Sequence, residues 1–213
     1  MRLVSVNVGK EQSIQNGKQT ETSGIFKLPA AGPVEITPLG LVGDMVVDTK
    51  NHGGPDQAIY VYGTADYDYW SGELGKPVPP GAFGDNLTIG DLESAKFLIG
   101  DRLVIGEVTL EVAAPRIPCG TLAARMGDPQ FVKRFRHAER PGLYCRVIQP
   151  GRVQAGADVA WVHYAGEPVP VVEIFRTYYD GQLTEAVLRH QLSAPLAIRA
   201  RREKEEQLEK IAG

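Results

Sequence analysis

The sequence predicts a mainly β body, either a barrel or a sandwich, followed by a small helical tail. The body contains short runs of apolar or alternating residues, each closed by glycine or proline, and this pattern is typical of all-β folds rather than βαβ units. From Glu167 the pattern becomes helical, with dense charge pairs four residues apart. We therefore expect two units, a β domain over residues 1–163 and a small helical domain over residues 167–213.

Strand candidates follow one another along the body. The run Leu3 to Val8 alternates apolar with polar residues, which is the period of a half-buried strand. Residues 10–23 are polar and contain glycine, so they predict a loop or the tip of a hairpin. Cys145 lies inside the candidate 142–149, and we expect it in the core. The other strand candidates are residues 25–28, 34–37, 58–62, 102–105, 108–112 and 159–164.

Helical patterns are short in the body and longer in the tail. In the first, residues 64–74, Tyr67 and Trp70 share one face, which is typical of core packing. A later helix begins at Asp128-Pro129, which supply an N-cap and a proline at the first helical position. The predicted helices cover residues 64–74, 121–126, 128–137, 184–192 and 195–211.

Composition excludes several classes of function. The net charge of −3 gives no reason to expect nucleic acid or an anionic membrane as a partner. The two cysteines do not form the dense framework of a secreted disulfide scaffold. The N-terminus lacks the pattern of a signal peptide, and no apolar run is long enough to span a bilayer. We expect a cytoplasmic protein with reduced thiols.

The stretch Pro115-Arg-Ile-Pro-Cys-Gly120 carries the main candidate site. Its prolines stiffen the chain, so Cys119 is expected on a rigid turn at the start of a helix. Unpaired N–H groups and the helix dipole at that position favour a thiolate, and Arg116 and Arg125 add positive charge. We predict that Cys119 has a lowered thiol pKa and lies at the floor of a pocket. The alternative is a buried cysteine that acts as a small hydrophobe.

Two further stretches combine glycine with polar side chains. In residues 52–58, Gly53 and Gly54 permit a ligand to approach the main chain, with His52 and Asp56 on either side. In residues 81–88, a glycine-rich turn carries Asn86, whose side chain can cap the backbone or bind a ligand. The first of these stretches can also be read as a plain turn with solvated His52 and Asp56.

Residues 52–58, 83–88 and 115–119, in this order, closely resemble the MOSC family, whose domain is named after the C-terminal part of molybdenum cofactor sulfurases. The match extends over residues 1–163, and with the helical tail the chain resembles a bacterial stand-alone branch. The resemblance implies a closed, barrel-like β fold and a molybdenum–pterin cofactor. It also implies that Cys119 carries sulfur or ligates molybdenum. Active relatives reduce N-hydroxylated substrates, including hydroxylamino nucleobases, to amines.

The resemblance also implies roles for the candidate residues. Cys119 would be the molybdenum ligand, with His52 and Asp56 as further catalytic groups. The pterin phosphate needs N–H groups and cations, for which we select a set of five residues. These cofactor-binding candidates are Gly53, Gly54, Asn86, Arg116 and Arg125, of which Arg125 rests on its position rather than on a motif. Asp85 stands where glutamate is commoner in the family. Aspartate keeps the negative charge but has a shorter side chain.

Three functional readings follow. The first is a molybdenum-dependent oxidoreductase that takes electrons from a separate reductase, because the sequence lacks the cysteine spacing of an iron–sulfur cluster. The second is a carrier of sulfur or of the cofactor that uses a Cys119 persulfide. No aminotransferase-like, pyridoxal phosphate-dependent part is present to extract sulfur from cysteine. The third is a zinc or thiol hydrolase using His52, Asp56 and Cys119, which lack recognised ligand spacing.

The tail is expected to dock a second copy, as in a homodimer, or the electron donor.

Overall fold

The structure, a computed structural model, describes residues 1–45 and 53–212. Thirteen strands and six α-helices lie in these ranges. The strands are β1 (Leu3–Gly9), β2 (Gln12–Asn16), β3 (Gln19–Ser23), β4 (Lys27–Pro29), β5 (Val34–Thr37), β6 (Gly40–Leu41), β7 (Ile59–Gly63), β8 (Leu87–Ile89), β9 (Arg102–Ile105), β10 (Val108–Pro115), β11 (Leu143–Gln149), β12 (Gly151–Val153) and β13 (Ala160–Val162). The helices are α1 (Thr64–Leu74), α2 (Gly120–Met126), α3 (Phe131–Ala138), α4 (Val171–Thr177), α5 (Glu185–Leu192) and α6 (Ile198–Ala212), with 3₁₀ turns at Pro55–Gln57 and Ser94–Lys96.

One large sheet organises the molecule. Its eight strands run in the order β13-β9-β10-β11-β7-β8-β1-β4, and all neighbours are antiparallel except the parallel pair β7 and β8. A second sheet joins β12, β5 and β6, and a hairpin joins β2 to β3. Residues 10–23 were expected to form a loop or the tip of a hairpin, but only residues 17–18 form the tip, and the two strands take up most of the stretch. Tyr144 on β11 pairs with Tyr60 on β7 and with Ala114 on β10, so the candidate stretches adjoin three neighbouring strands.

The mixed, sheet-rich fold agrees with the predicted class, but the strand pairings of the described ranges do not themselves form a closed ring. The outer strands of the order, β13 and β4, are not paired with each other there. Main-chain hydrogen bonds do link the start of β1 to the segment that leads into β13. Leu3 donates to Ala157, Gly156 donates to Leu3 and Val159 donates to Met1, over 2.9, 2.7 and 2.9 Å.

The interior contains two apolar clusters. One fills the inside of the large sheet, where Cys145 is fully buried as predicted. The other is aromatic and packs between the sheet and helices α1, α2 and α3. Tyr67 and Trp70 belong to the aromatic cluster, which confirms their predicted packing role. Its large members are Tyr60, Tyr62, Tyr67, Trp70, Phe83, Phe131, Phe135, Tyr144 and Phe175.

The tail residues join both clusters. Val171 and Leu196 lie in the sheet cluster and Phe175 in the aromatic one. Helix α4 was missed, because its β-branched residues and preceding prolines obscure a helical period. Among the apolar residues of the tail, Leu188 is buried but Ile198 is 55% exposed. The division into two domains remains a prediction. None of the helices in the described ranges is long and apolar enough to cross a membrane.

Candidate functional site

One pocket brings the candidate stretches together. The β2–β3 hairpin, the segment before β7, the turn before β8 and the start of α2 form its walls. Asn86 and Cys119 both line it. His52, another candidate residue, lies outside the described residues. The lining residues are Glu21, Thr22, Ser23, Gly24, Ile25, Lys27, Met45, Gly53, Gln57, Ala58, Tyr60, Gly84, Asn86, Arg116, Cys119, Thr121 and Tyr144.

Cys119 is the N-cap residue of α2, with an extended backbone (φ −126°, ψ 173°). Its carbonyl accepts hydrogen bonds from the N–H groups of Leu122 and Ala123, at 3.1 and 3.3 Å, so the helix begins immediately after it. The half-buried thiol therefore has the helix-start position that the sequence predicts. A Cβ on Gly120 would lie 3.0 Å from the Asn16 side chain, so glycine permits the β2–β3 hairpin to pack closely beside the cysteine.

Arg116 places a buried positive charge in this pocket. The residue is 4% exposed, donates from one terminal nitrogen to the Phe83 carbonyl, and lies 5.0 Å from the centre of the Tyr60 ring. Burial acts to lower its pKa, but Tyr60, Tyr144 and Cys119 together hold the pKa above its ordinary value. No carboxylate pairs with it among the described residues, and its Nε is buried without a partner there. A buried cation in this state is suited to an anionic ligand.

A buried ion pair forms another part of the pocket wall. The Nζ of Lys27 lies 2.6 and 2.5 Å from the two carboxylate oxygens of Asp44, and both side chains are almost completely buried. Asp44 also accepts 2.8 Å hydrogen bonds from the main-chain N–H of Gly9 and the side-chain amide of Asn86. Burial lowers the pKa of Lys27, although Asp44 acts in the opposite direction. The charged side chain is thus held rigidly at the pocket.

The turn before β8 is fixed by a second buried network. The fully buried carboxylate of Asp85 accepts 2.6 Å hydrogen bonds from the hydroxyls of Tyr67 and Thr88. Burial raises the pKa of Asp85 above its ordinary value. The side-chain oxygen of the next residue, Asn86, accepts from the Tyr60 N–H at 3.0 Å. Asn86 therefore ties the turn to β7 and to Asp44, and it shapes the pocket wall.

Three of the predicted site residues do not line the pocket. Asp56 pairs with Arg146 at 2.9 Å and accepts a 2.7 Å hydrogen bond from the N–H of Ile198. Arg125 lies over the ring of Phe26, 4.5 Å from its centre. Gly54 has a positive φ of 80°, as does Gly53 at 76°, but only Gly53 is a lining residue. The sequence-based roles of Asp56 and Arg125 remain predictions, but the observed contacts give both side chains structural partners.

Sequence reasoning did not select several lining residues. Lys27, Gln57, Tyr60 and Tyr144 reach the pocket because strand pairing and turns bring them there. One local signal was available, because Lys27 interrupts the apolar run Ile25 to Leu28 with a charge. A lysine within a short strand that is buried at its start needs a carboxylate partner, which Asp44 provides. The two tyrosines had no local signal beyond strand periodicity.

Side chains alone do not supply a complete metal site in the part of the chain that the structure describes. No three His, Cys, Asp or Glu residues gather there in an arrangement that could hold an ion. Cys119 would therefore bind a metal as a single protein ligand, with the other ligands coming from a bound cofactor. The soft thiolate suits molybdenum better than it suits magnesium or calcium.

Comparisons with known sequences give a consistent result. The sequence model of the MOSC domain matches residues 48–160. The chain is 34% identical over 197 residues to the uncharacterized protein YflK of Bacillus subtilis, covering 92% of this chain and 89% of YflK. It is 34% identical over 163 residues to the protein YiiM of Escherichia coli, covering 75% and 71% of the two chains. A protein of Gibberella moniliformis named reductase is 33% identical over 163 residues, which cover 74% of this chain and 28% of the reductase.

Solved structures extend the similarity over nearly the whole chain. The crystal structure of YiiM from Geobacillus stearothermophilus superimposes with a TM-score of 0.80 at 30% identity, covering 97% of this chain and 98% of that one. The crystal structure of YiiM from Escherichia coli gives a TM-score of 0.77 at 26% identity, covering 99% and 94%. The similarity therefore includes the helical tail as well as the sheet.

Proposed function

The chain belongs to the MOSC domain family, and we propose that it binds the molybdenum cofactor in the pocket around Cys119 and reduces N-hydroxylated compounds to amines. A separate reductase supplies the electrons. The family is associated with this cofactor, and one relative carries the name reductase, which supports redox chemistry. The choice of N-hydroxylated substrates comes from the family resemblance.

The observation that carries the proposal is the buried Arg116 guanidinium beside the Cys119 pocket. Burying a charge is costly, and no carboxylate of residues 1–45 and 53–212 pairs with this one, so we expect an anionic ligand to complete the site. The cofactor suits both Arg116 and Cys119. Its phosphate can accept a hydrogen bond from the Arg116 Nε, which has no partner among the described residues, and its metal can accept the Cys119 thiolate as a ligand. The residues present therefore fit the group.

The roles of the individual residues follow from their positions. Cys119 holds the metal through its thiolate, and Arg116 binds the phosphate. Gly53, with its positive φ and no side chain, lets the ligand lie against the main chain. When bound, the cofactor supplies the two-electron redox chemistry. Tyr60 and Tyr144 form an aromatic part of the wall, which limits the entry of water.

We also propose that the large sheet closes into the barrel that the resemblance implies. The hydrogen bonds between residues 1–3 and 156–159 support this closure, because they connect β1, next to one end of the strand order, to the segment that leads into β13 at the other end. A closed sheet has no free edge at this position and holds β7, β10 and β11 rigidly below the pocket.

The partners belong to the same proposal. We place the protein in the cytoplasm, where thiols remain reduced. The tail over residues 167–213 is the surface that we assign to docking of the reductase or of a second copy of the chain. Sedimentation of the protein with and without a reductase distinguishes a complex from a homodimer.

Turnover of the loaded protein tests the function. Protein made in a host that synthesises the cofactor is analysed for molybdenum and pterin, then incubated with an N-hydroxylated nucleobase and a reductase. We expect about one molybdenum per chain and formation of the amine. Cys119→Ser should abolish both, whereas Cys145→Ala changes a buried thiol of the core and should keep them.

Two other outcomes would change the assignment. Loaded protein that does not turn over but passes cofactor or sulfur to an acceptor would be the carrier of the second reading. Protein that contains neither molybdenum nor pterin would contradict both functions.

A further inference from the structure

Lys27 is the pocket residue whose chemistry the proposed function leaves unused. Its ammonium group donates to both oxygens of Asp44, at 2.6 and 2.5 Å, and the side chain lines the pocket. An ammonium group has three N–H donors, so one remains. No acceptor for this third donor exists among residues 1–45 and 53–212. Lys27 can therefore donate to a ligand without breaking its contacts with Asp44.

Asp44 holds this ammonium group in one orientation. Its carboxylate accepts four hydrogen bonds, two from Lys27 and one each from Gly9 and Asn86. A carboxylate that accepts this many hydrogen bonds is fixed in position. Its negative charge compensates the buried lysine, and the network limits the rotamers that Lys27 can adopt.

Tyr60, Tyr144 and Arg116 of the pocket wall are poorer proton donors. The hydroxyl of Tyr60 already donates to the Pro141 carbonyl at 2.9 Å, and burial raises the pKa of Tyr60 and of Tyr144. The pKa of Arg116 lies above its ordinary value, so its guanidinium does not release a proton. Glu21 accepts from Asn16 with both oxygens, at 3.3 Å.

Lys27 differs from them in its electrostatic environment. Burial lowers its pKa and Arg116 acts in the same direction, whereas Asp44 and Asp85 act to raise the pKa. The ammonium form is thus favoured less than it would be in water. Among the described wall residues, Lys27 combines a free donor with this readiness to lose a proton.

We propose that Lys27 is the proton donor to the hydroxyl group that leaves the substrate, with Asp44 as its positioning residue. This rests on the proposed function. The reaction is R–NH–OH + 2 e⁻ + 2 H⁺ → R–NH₂ + H₂O. The N–O bond breaks, the nitrogen is reduced, and the external reductase gives up two electrons. Lys27 protonates the departing oxygen, which leaves as water. The second proton reaches the nitrogen from solvent, and solvent reprotonates Lys27.

The test compares loaded variants with loaded wild type in a single turnover. Lys27→Met removes the acid, and Lys27→Arg keeps the charge and the pairing with Asp44 but cannot give up a proton at neutral pH. Molybdenum and pterin content are measured first, as a readout independent of activity. Lys96→Gln is the control, because Lys96 is an exposed lysine that pairs with Glu93.

We expect both Lys27 variants to retain the cofactor and to cleave the N–O bond about 100-fold more slowly, the typical contribution of a general acid. The wild-type rate should fall as the pH rises through the pKa of Lys27, and this fall should be absent from both variants. In a third variant, Lys27→Ala, added methylamine should partly restore the rate, because it can occupy the vacated space as an ammonium ion. Lys96→Gln should behave as wild type.

Each remaining outcome is decisive. Variants that lose molybdenum and pterin would show that Lys27 holds the cofactor, and the proton-donor role would be wrong. Variants with a wild-type rate and pH profile would also overturn it. In both cases wild-type turnover would leave the proposed function standing. If loaded wild type fails to reduce any N-hydroxylated compound, the proposed function fails and the role of Lys27 fails with it.

Discussion

The carboxylate of Asp56 accepts a 2.7 Å hydrogen bond from the main-chain N–H of Ile198, the first residue of α6 and 142 positions further along the chain. The first N–H groups of a helix have no partner within the helix, and a carboxylate there also interacts favourably with the helix dipole. The other oxygen of Asp56 pairs with Arg146 on β11 at 2.9 Å. A residue of the glycine-rich stretch before β7 thus connects the sheet to the tail.

Asp56→Ala should lower the free energy of unfolding by about 1–2 kcal/mol, because it removes the cap of α6 and leaves Arg146 with fewer partners. Asp56→Asn should have a smaller effect, since its amide oxygen can still accept from Ile198. Urea unfolding measures both changes. Turnover per loaded molecule should remain at the wild-type level. A stable Asp56→Ala protein without turnover would instead support the catalytic role that the sequence suggested.

Arg116→Met should reduce the molybdenum and pterin content at least about tenfold, because a charge-assisted contact with an anion contributes more than a neutral one. The apo protein should lose little stability, since an apolar side chain can replace a buried charge without a counterion. Arg152→Gln, at an exposed arginine of β12, is the matched control and should load normally. Arg125→Met in the same series tests the sequence-based assignment of Arg125.

Full loading of Arg116→Met would contradict the phosphate-binding role. The combination of lost loading and a strongly destabilised apo protein would also count against it, because that result would point to a mainly structural role. Thermal unfolding of the apo variants separates these cases.

Cys119 should react with iodoacetamide well before Cys145 in the folded apo protein. Cys119 is half-buried at the pocket, whereas Cys145 is fully buried and burial raises its pKa far above the ordinary value of a thiol. Peptide mass spectrometry over time measures the two rates. We expect a difference of at least about 100-fold at pH 7.5, since reaction at a buried site requires local opening.

The pH dependence of the Cys119 rate also tests the thiol pKa predicted from the sequence. Reaction that develops only above about pH 8.5 would exclude a lowered pKa. Equal labelling of the two cysteines would contradict their observed difference in burial.

Asp85→Asn should change how stability depends on pH. Burial raises the folded-state pKa of Asp85, so between its unfolded and folded pKa values the native state binds more protons than the unfolded state. The stability contribution of this group is therefore greatest below the unfolded value, about 3.9, and falls as the pH rises through the folded pKa. Asparagine does not titrate, so the variant should lack this fall.

Urea unfolding of both proteins between pH 4 and pH 8 gives the comparison. The stability of wild type relative to Asp85→Asn should decrease with rising pH. A difference that stays constant across this range, or that grows with pH, would show that the pKa of Asp85 is not raised in the folded protein.

Local sequence features determined several parts of the structure. The prolines and glycine around Cys119 fixed a helix start, because their backbone restrictions act within a few residues. The same range of action explains why the glycine in residues 10–23 indicated a turn, although the two strands on either side of it were missed, and why Tyr67 and Trp70 were correctly placed in a core. Helix α4 was missed because its local signals resemble those of a strand.

The tertiary structure decided which residues share the pocket and which do not. Lys27 contacts Asp44, which lies 17 positions further along the chain, and Asp56 contacts Ile198, 142 positions further. The periodicity of helices and strands relates residues only a few positions apart, so it predicts neither contact. Strand order and register bring Tyr60 beside Tyr144 and so create the wall that faces Arg116. A shift of one residue in that pairing would point both tyrosines to the other side of the sheet. The sequence by itself thus located the cysteine turn and its family, because these depend on neighbouring residues. The pairing of strands, which depends on the whole chain, brings Asp56 into contact with the tail and places Lys27 in the pocket wall.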